Sequence, residues 1–133
     1  MTGPLAPPTI VTAAVVERDG LLLVTQRLEG THLAGHWEFP GGKCEPAEDV
    51  RQCLTREILE ELGVRCVVGE EIHRTRYAYG ERRLELVFLR CRIDDEPQPL
   101  LGQEIRWVAR RELGKLQFPP ADAELIKLLQ ERD

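Results

Sequence analysis

Glu57, Glu60 and Glu61 are spaced i, i+3, i+4, which puts three carboxylates on one face of a helix. Like charges this close repel one another and weaken an isolated helix, so the spacing calls for an offsetting positive charge. A hard divalent cation, Mg²⁺ or Mn²⁺, would supply it, because such ions prefer carboxylate oxygens. An ion held this way keeps waters and takes substrate phosphates in its remaining positions. Its bound water is acidified enough to serve as a nucleophile near neutral pH. The chemistry this pattern suggests is metal-assisted attack of water on phosphorus. The ordinary alternative is a solvated acidic helix face, and spacing alone favours that alternative.

The surrounding residues change the balance. Residues Gly42 to Val64 read GKCEPAEDVRQCLTREILEELGV. Gly42, Glu48, Arg56, Glu57, Ile58, Glu60, Glu61, Gly63 and Val64 meet every fixed position of the pattern G-x5-E-x7-R-E-U-x-E-E-x-G-U, with U aliphatic. On these residues the chain resembles the Nudix hydrolase family. The resemblance implies an α/β fold, an α/β/α sandwich with a mixed sheet between helices. It also implies a metal-dependent hydrolase acting on a nucleoside diphosphate linked to another group. Glu57, Glu60 and Glu61 become the expected metal ligands, with Glu57 also orienting or deprotonating the attacking water. Glu48 is expected to reach the metal through water or to pair with Arg56; the simpler reading is stabilisation of the helix N-terminus. Arg56 is expected to position carboxylates, and the backbone at Gly41 and Gly42 to shape the metal site. Lys43 either touches a phosphate or is solvated.

Two further segments resemble the MutT-type nucleoside triphosphate pyrophosphohydrolases within that family. They are Gly35 to Lys43, GHWEFPGGK, and Phe118 to Asp122, FPPAD. This resemblance implies release of a nucleoside monophosphate and pyrophosphate, and a role in clearing oxidised or modified nucleotides. It assigns phosphate contact to Arg27 and reading of the base edge to Asp122. An ionised Asp122 only accepts hydrogen bonds, which suits guanine N1–H and N2–H or the cytosine amino group. A plain helix N-cap explains Asp122 equally well. His32 and Phe39 are expected to line the base pocket, although a lone loop histidine is more often a surface group. One position departs from the group. Where a glutamate often precedes a Gly-Gln pair, this chain has Leu101, in LLGQE. Glu104 is the nearest acid that could replace it as metal ligand or base; otherwise Glu57 carries the water activation.

ADP-ribose, dinucleotide polyphosphates and RNA 5′ ends are rival substrates for the same fold. A non-catalytic binding module is disfavoured because all four box glutamates are retained. An isoprenyl diphosphate isomerase is disfavoured because such enzymes use a degenerate box.

The elements that must hold these groups follow from the pattern. Thr9 to Glu17 and Leu21 to Arg27 read as strands joined by a tight turn at Asp19-Gly20. Leu28 to Gly35 reads as a loop and Trp37 to Pro40 as a short extended piece. A helix is expected over Ala47 to Leu62, with Pro46 near its start, Val50, Leu54, Ile58 and Leu62 on its buried side, and Gly63 at its C-terminus. Val64 to Glu70, Ile72 to Ala78 and Leu84 to Ile93 read as strands, with a turn at Tyr79 to Glu81. Asp94 to Gly102 reads as a loop and Ile105 to Val108 as a strand. A second helix is expected over Ala121 to Arg132, burying Leu125, Leu128 and Leu129. Strands, helix, strands, helix suggest a mixed sheet between two helices.

The 133 residues suit one domain, with residues 9–133 as that domain and 1–8, holding three prolines and a glycine, as a loose tail. A net charge of −5 argues against a nucleic-acid-coating or membrane-surface protein, while a metal would still admit a phosphate substrate. No apolar run approaches a membrane span and no signal segment opens the chain. Cys44, Cys53, Cys66 and Cys91 fit no zinc spacing and read as reduced thiols of a cytoplasmic protein. The expected partner is a small nucleotide, without stable nucleic-acid or membrane binding, and with the chain a monomer or homodimer.

Overall fold

The computed structural model describes residues 7–131, the side chain of Tyr79 aside. The expected loose tail therefore lies largely outside the described residues, as does Arg132. The strands are β1 (Thr9–Arg18), β2 (Leu21–Gln26), β3 (Trp37–Glu38), β4 (Gly41–Lys43), β5 (Cys66–Tyr79), β6 (Arg82–Ile93) and β7 (Ile105–Ala109); the helices are α1 (Val50–Leu62) and α2 (Ala123–Glu131). Short 3₁₀ turns cover Arg110–Lys115 and Pro120–Asp122.

The sheet is mixed, in the order β3-β2-β1-β6-β5, with β4 on β1 and β7 on β2. β1 runs parallel to β6, Thr9 opposite Leu84 through Val16 opposite Cys91. The Asp19-Gly20 turn places both residues at positive φ, 53° and 78°. That backbone twist matches the flanking strands and suits Asp-Gly.

Alternation along β6 sorts its side chains to two faces. Val87, Leu89, Cys91 and Ile93 meet Leu54, Ile58 and Leu62 of α1. Phe88 joins Leu125 and Leu129 of α2, with Val15, Leu22, Trp37 and Phe39. Each such fully buried aliphatic or aromatic side chain stabilises the fold by about 1.5–3 kcal/mol relative to exposure.

Three expected elements differ from the structure. α1 starts at Val50, three residues later than expected, because Asp49 caps it: the Asp49 carboxylate accepts from the Gln52 backbone and the Gln52 side chain accepts from the Asp49 backbone. Pro46 therefore sits in the preceding turn. The two strands expected between Val64 and Ala78 are one strand, β5, with register irregularities between Val68 and His73. Those bulges break the alternation that reads as a strand end in the sequence. α2 starts at Ala123, after the 3₁₀ turn, and Leu128 is only half-buried.

Candidate active site

The glutamates picked out by their spacing lie where α1 meets β4. β4 lies antiparallel to β1, with Ala13 opposite Gly41 and Val11 opposite Lys43. A Cβ at Gly41 would strike the Thr12 carbonyl oxygen, and one at Gly42 would strike the Glu57 carboxyl. Gly41 lets β4 close on the β1 backbone, and Gly42 leaves room for the Glu57 side chain of α1.

Arg56 organises this end. Its Nε and Nη2 donate to the two Glu48 oxygens, each at 2.7 Å. Its Nη1 donates to Glu57 at 2.9 Å and to Glu60 at 3.3 Å, and Nη2 also donates to the Lys43 carbonyl at 3.2 Å. The forked guanidinium suits this bidentate recognition. Hydrogen bonding from Arg56 holds the Glu48 carboxyl down at about 2. Glu48 stands just before α1, next to its N-cap Asp49.

Glu61 behaves in the opposite way. Burial, then the neighbouring Glu57 charge, then Glu38, push its carboxyl up to about 8, and the Gly41 backbone N–H only partly opposes this. Two carboxyls crowded together in a partly dry site are the donor set a hard divalent cation relieves. The residues present therefore fit such an ion. Among the described residues no three acids yet converge as a ligand cluster, and Glu57 and Glu60 are turned to Arg56 instead.

A cleft of about 530 Å³ leads from Gly41, Gly42, Lys43 and Glu61 to Phe39 and Asp122. His32 and Arg27 also line it. Arg27 donates from Nε to the His32 carbonyl at 2.6 Å and from Nη1 to Glu38 at 2.8 Å. Phe39 is buried, stacked on Phe118 at 5.4 Å. Asp122 is only 5% exposed. Burial first, then the charge of Glu38, push its carboxyl up to about 7, against the pull of Arg27. Near neutral pH it is thus part acid and part carboxylate, able to donate as well as accept, where the sequence suggested an acceptor alone. It is the last residue of the 3₁₀ turn that runs into α2, directly before Ala123.

Two polar groups at this site, half-buried Glu38 and buried Gln103, were not singled out in the sequence. Glu38 lines the main cleft together with a smaller one of about 130 Å³, as do Arg27 and Glu61. Burial raises its carboxyl while Arg27 draws it down. A lone acid between two aromatics in W-E-F was the available signal. Gln103 is buried and bridges the Leu101 N–H, at 2.9 Å, and the Glu61 carbonyl, at 3.1 Å. Leu101 faces the smaller cleft beside Glu61. Glu104 lines neither cleft; it pairs with Arg106 at 3.2 Å.

The expectation of four reduced cysteines is corrected. Cys44 and Cys53 are joined in a disulfide, while Cys66 and Cys91 are free and buried. The bonded pair stand nine positions apart in the sequence. The capped start of α1 folds back on the end of β4, which brings the two together.

A family model described as the NUDIX domain matches residues 11–128. The CTP pyrophosphohydrolase of Escherichia coli is 53% identical over 120 residues, 88% of this chain and 87% of the relative. The 8-oxo-dGTP diphosphatase of Haemophilus influenzae is 39% identical over 124 residues, 91% of each. The solution structure of the E. coli ORF135 protein superposes with a TM-score of 0.84 at 36% identity, covering 94% of this chain and 91% of that one.

Proposed function

The chain belongs to the NUDIX domain family, and on that premise we propose that it is a divalent-metal-dependent pyrophosphohydrolase of nucleoside triphosphates carrying a cytosine or guanine-type base. The products would be the nucleoside monophosphate and pyrophosphate. The observation that carries the reading is a single cleft with crowded carboxylates at one end and a buried, part-protonated Asp122 at the other. Its relatives' names, CTP pyrophosphohydrolase and 8-oxo-dGTP diphosphatase, point to the same class of substrate.

Bound Mg²⁺ or Mn²⁺ would neutralise phosphate charge and supply an acidified water. Glu57, Glu60 and Glu61 would hold it, with the backbone at Gly41. Arg56 keeps Glu48, Glu57 and Glu60 in register before an ion arrives. Glu57 is in reach of the same site and would orient the attacking water or take its proton. Lys43 and Arg27 bring positive charge to the cleft walls and would bind the triphosphate. Catalysis would come from charge neutralisation and positioning.

At the other end, Phe39 and the Pro119–Ala121 strip offer apolar surface to a base. As an acid, Asp122 can donate to cytosine N3 while accepting from the amino group; as a carboxylate, it accepts from guanine N1–H and N2–H. Such an enzyme would work on the nucleotide pool of the cytoplasm. Among the described residues no helix is long and apolar enough to cross a membrane.

The test is a substrate panel of CTP, dCTP, 5-methyl-dCTP, dGTP, 8-oxo-dGTP, ADP-ribose, a dinucleotide polyphosphate and 5′-triphosphate RNA, with Mg²⁺ or Mn²⁺, products resolved by chromatography. Monophosphate and pyrophosphate from a cytosine or guanine triphosphate are expected. Turnover confined to ADP-ribose, dinucleotides or RNA would overturn the base-end assignment.

A further inference from the structure

The strip that carries Asp122 is braced at both ends. At its start, Phe118 stacks on Phe39 at 5.4 Å, and Phe39 meets Phe88 edge-on at 6.3 Å. The same Phe88 is stacked by His73, at 6.1 Å with the rings 29° apart. His73 lies directly opposite Phe88 across β5 and β6, just after the register irregularity between Glu71 and His73. A bulge re-aims the side chains beyond it, and here it presents His73 to the face on which α2 packs.

At the far end of the strip, two residues beyond Asp122, Glu124 opens α2. Its carboxylate oxygen Oε2 lies 3.3 Å from His73 Nε2. The distance is within salt-bridge range, but no hydrogen bond joins the two, and Nε2 is buried without a hydrogen-bond partner. The His73 side chain is 16% exposed, whereas Glu124 is 75% exposed and free to turn. A buried ring nitrogen lacking a partner is costly, and a small rotation of Glu124 would satisfy it. His73 therefore has a physical reason to hold Glu124, and only Ala123 separates Glu124 from Asp122 along the chain.

We propose that His73 and Glu124 are positioning residues for base recognition: they clamp the α2 end of the Phe118–Asp122 strip and so fix where Asp122 points in the cleft. Neither residue lines the cleft. The clamp rests on the reading of Asp122 as the base-edge group. It acts on base binding and leaves the carboxylate end of the cleft untouched.

Steady-state kinetics on CTP with Mg²⁺, or on dGTP if that is the faster substrate, test it, with inorganic tripolyphosphate as a base-free competitor. Glu124→Ala should raise KM about threefold to fivefold, the scale of one partly exposed ion pair. kcat and the inhibition constant of tripolyphosphate should stay within twofold, and Tm should move by no more than about 3 °C. Glu124→Gln, which keeps an acceptor for a His73 N–H, should recover part of the loss. In an Asp122→Ala background, Glu124→Ala should add nothing, because coupled residues are non-additive. An unchanged KM in Glu124→Ala, a parallel change in tripolyphosphate binding, or simple additivity would each overturn the clamp. If Asp122→Ala itself leaves KM and base preference unchanged, the base-edge reading fails and the clamp with it. If Asp122→Ala has an effect and Glu124→Ala has none, the clamp alone fails.

Discussion

The two ends of the cleft are built on opposite plans. At the α1 end, Arg56 reaches Glu48, Glu57 and Glu60, and the charges satisfy one another within a dozen residues of chain. At the α2 end, Asp122 stands nearly alone in apolar surroundings, its charge opposed by burial and by Glu38. Hydrogen-bonded charge holds Glu48 down, and dry surroundings hold Asp122 up. The difference teaches that one end suits a highly charged group handled with a cation. The other suits a flat neutral ring with a few N–H groups. Glu61 sits between the plans: it belongs to α1 by sequence, but half-burial and neighbouring charge push its carboxyl up as burial does for Asp122.

The sharpest way to break that contrast is to remove charge from the α1 end. Glu60→Gln or Glu61→Gln should lower kcat by about 10²–10³-fold, the usual loss when a key electrostatic group is deleted. Circular dichroism and Tm should stay close to those of the parent. Near-normal turnover in a folded variant would remove these glutamates from the catalytic site. Chelation with EDTA should abolish turnover, and adding back Mg²⁺ should restore it.

Next in size is the Cys44–Cys53 bond, which ties β4 to the first turn of α1. Closing so short a loop is worth about 2–3 kcal/mol through the unfolded chain. Reduction by a dithiol, or Cys44→Ser, should lower Tm measurably in thermal unfolding. Its kinetic effect should fall on the α1 end, seen as altered tripolyphosphate inhibition, and spare base preference. Equal Tm values for the oxidised and reduced protein would remove the tie as a stabilising feature.

The smallest change in activity is expected at the α2 end. Asp122 titrates at about 7 in the folded protein against an ordinary 3.8, so between those values the folded state holds a proton that the unfolded chain has released. Its contribution is fully present below the ordinary value and is lost as pH rises through about 7, by at most about 1.4 kcal/mol per pH unit. Asp122→Asn should therefore resemble the parent in Tm near pH 4 and exceed it near pH 8. A parallel Tm shift at both pH values would contradict the burial of an ionising group here. The same variant should change the ratio of kcat/KM between cytosine and guanine triphosphates by about tenfold, the worth of one hydrogen bond to a base edge, with kcat on the better substrate nearly kept.

How much was legible in advance follows the same division. The box helix, its C-terminal Gly63 and the Arg56 contacts are local, and local spacing on a helix fixes which side chains are neighbours. The late start of α1 was written in Asp49 and Gln52 but was masked by the stronger signal of Pro46. β5 was split in the reading because a bulge interrupts the alternation from which a strand is recognised. Glu38 and Gln103 escaped notice because their importance comes from what surrounds them. A glutamate in a short strand and a glutamine in a loop carry no spacing signal. Cys44 and Cys53 escaped because a separation of nine positions has no pattern until the chain turns back on itself.

The sequence by itself determined the family, the class of chemistry and the face on which the α1 carboxylates stand, because these depend on covalent spacing along one helix. Only the tertiary structure decided which acids are charged. It buried Asp122, half-buried Glu61, set the charge of Glu38 near both, turned Glu104 away to Arg106 and brought His73 to Glu124. The ionisation of a carboxyl depends on the water, charges and donors within a few ångströms of it, and those neighbours come from segments that only folding brings together.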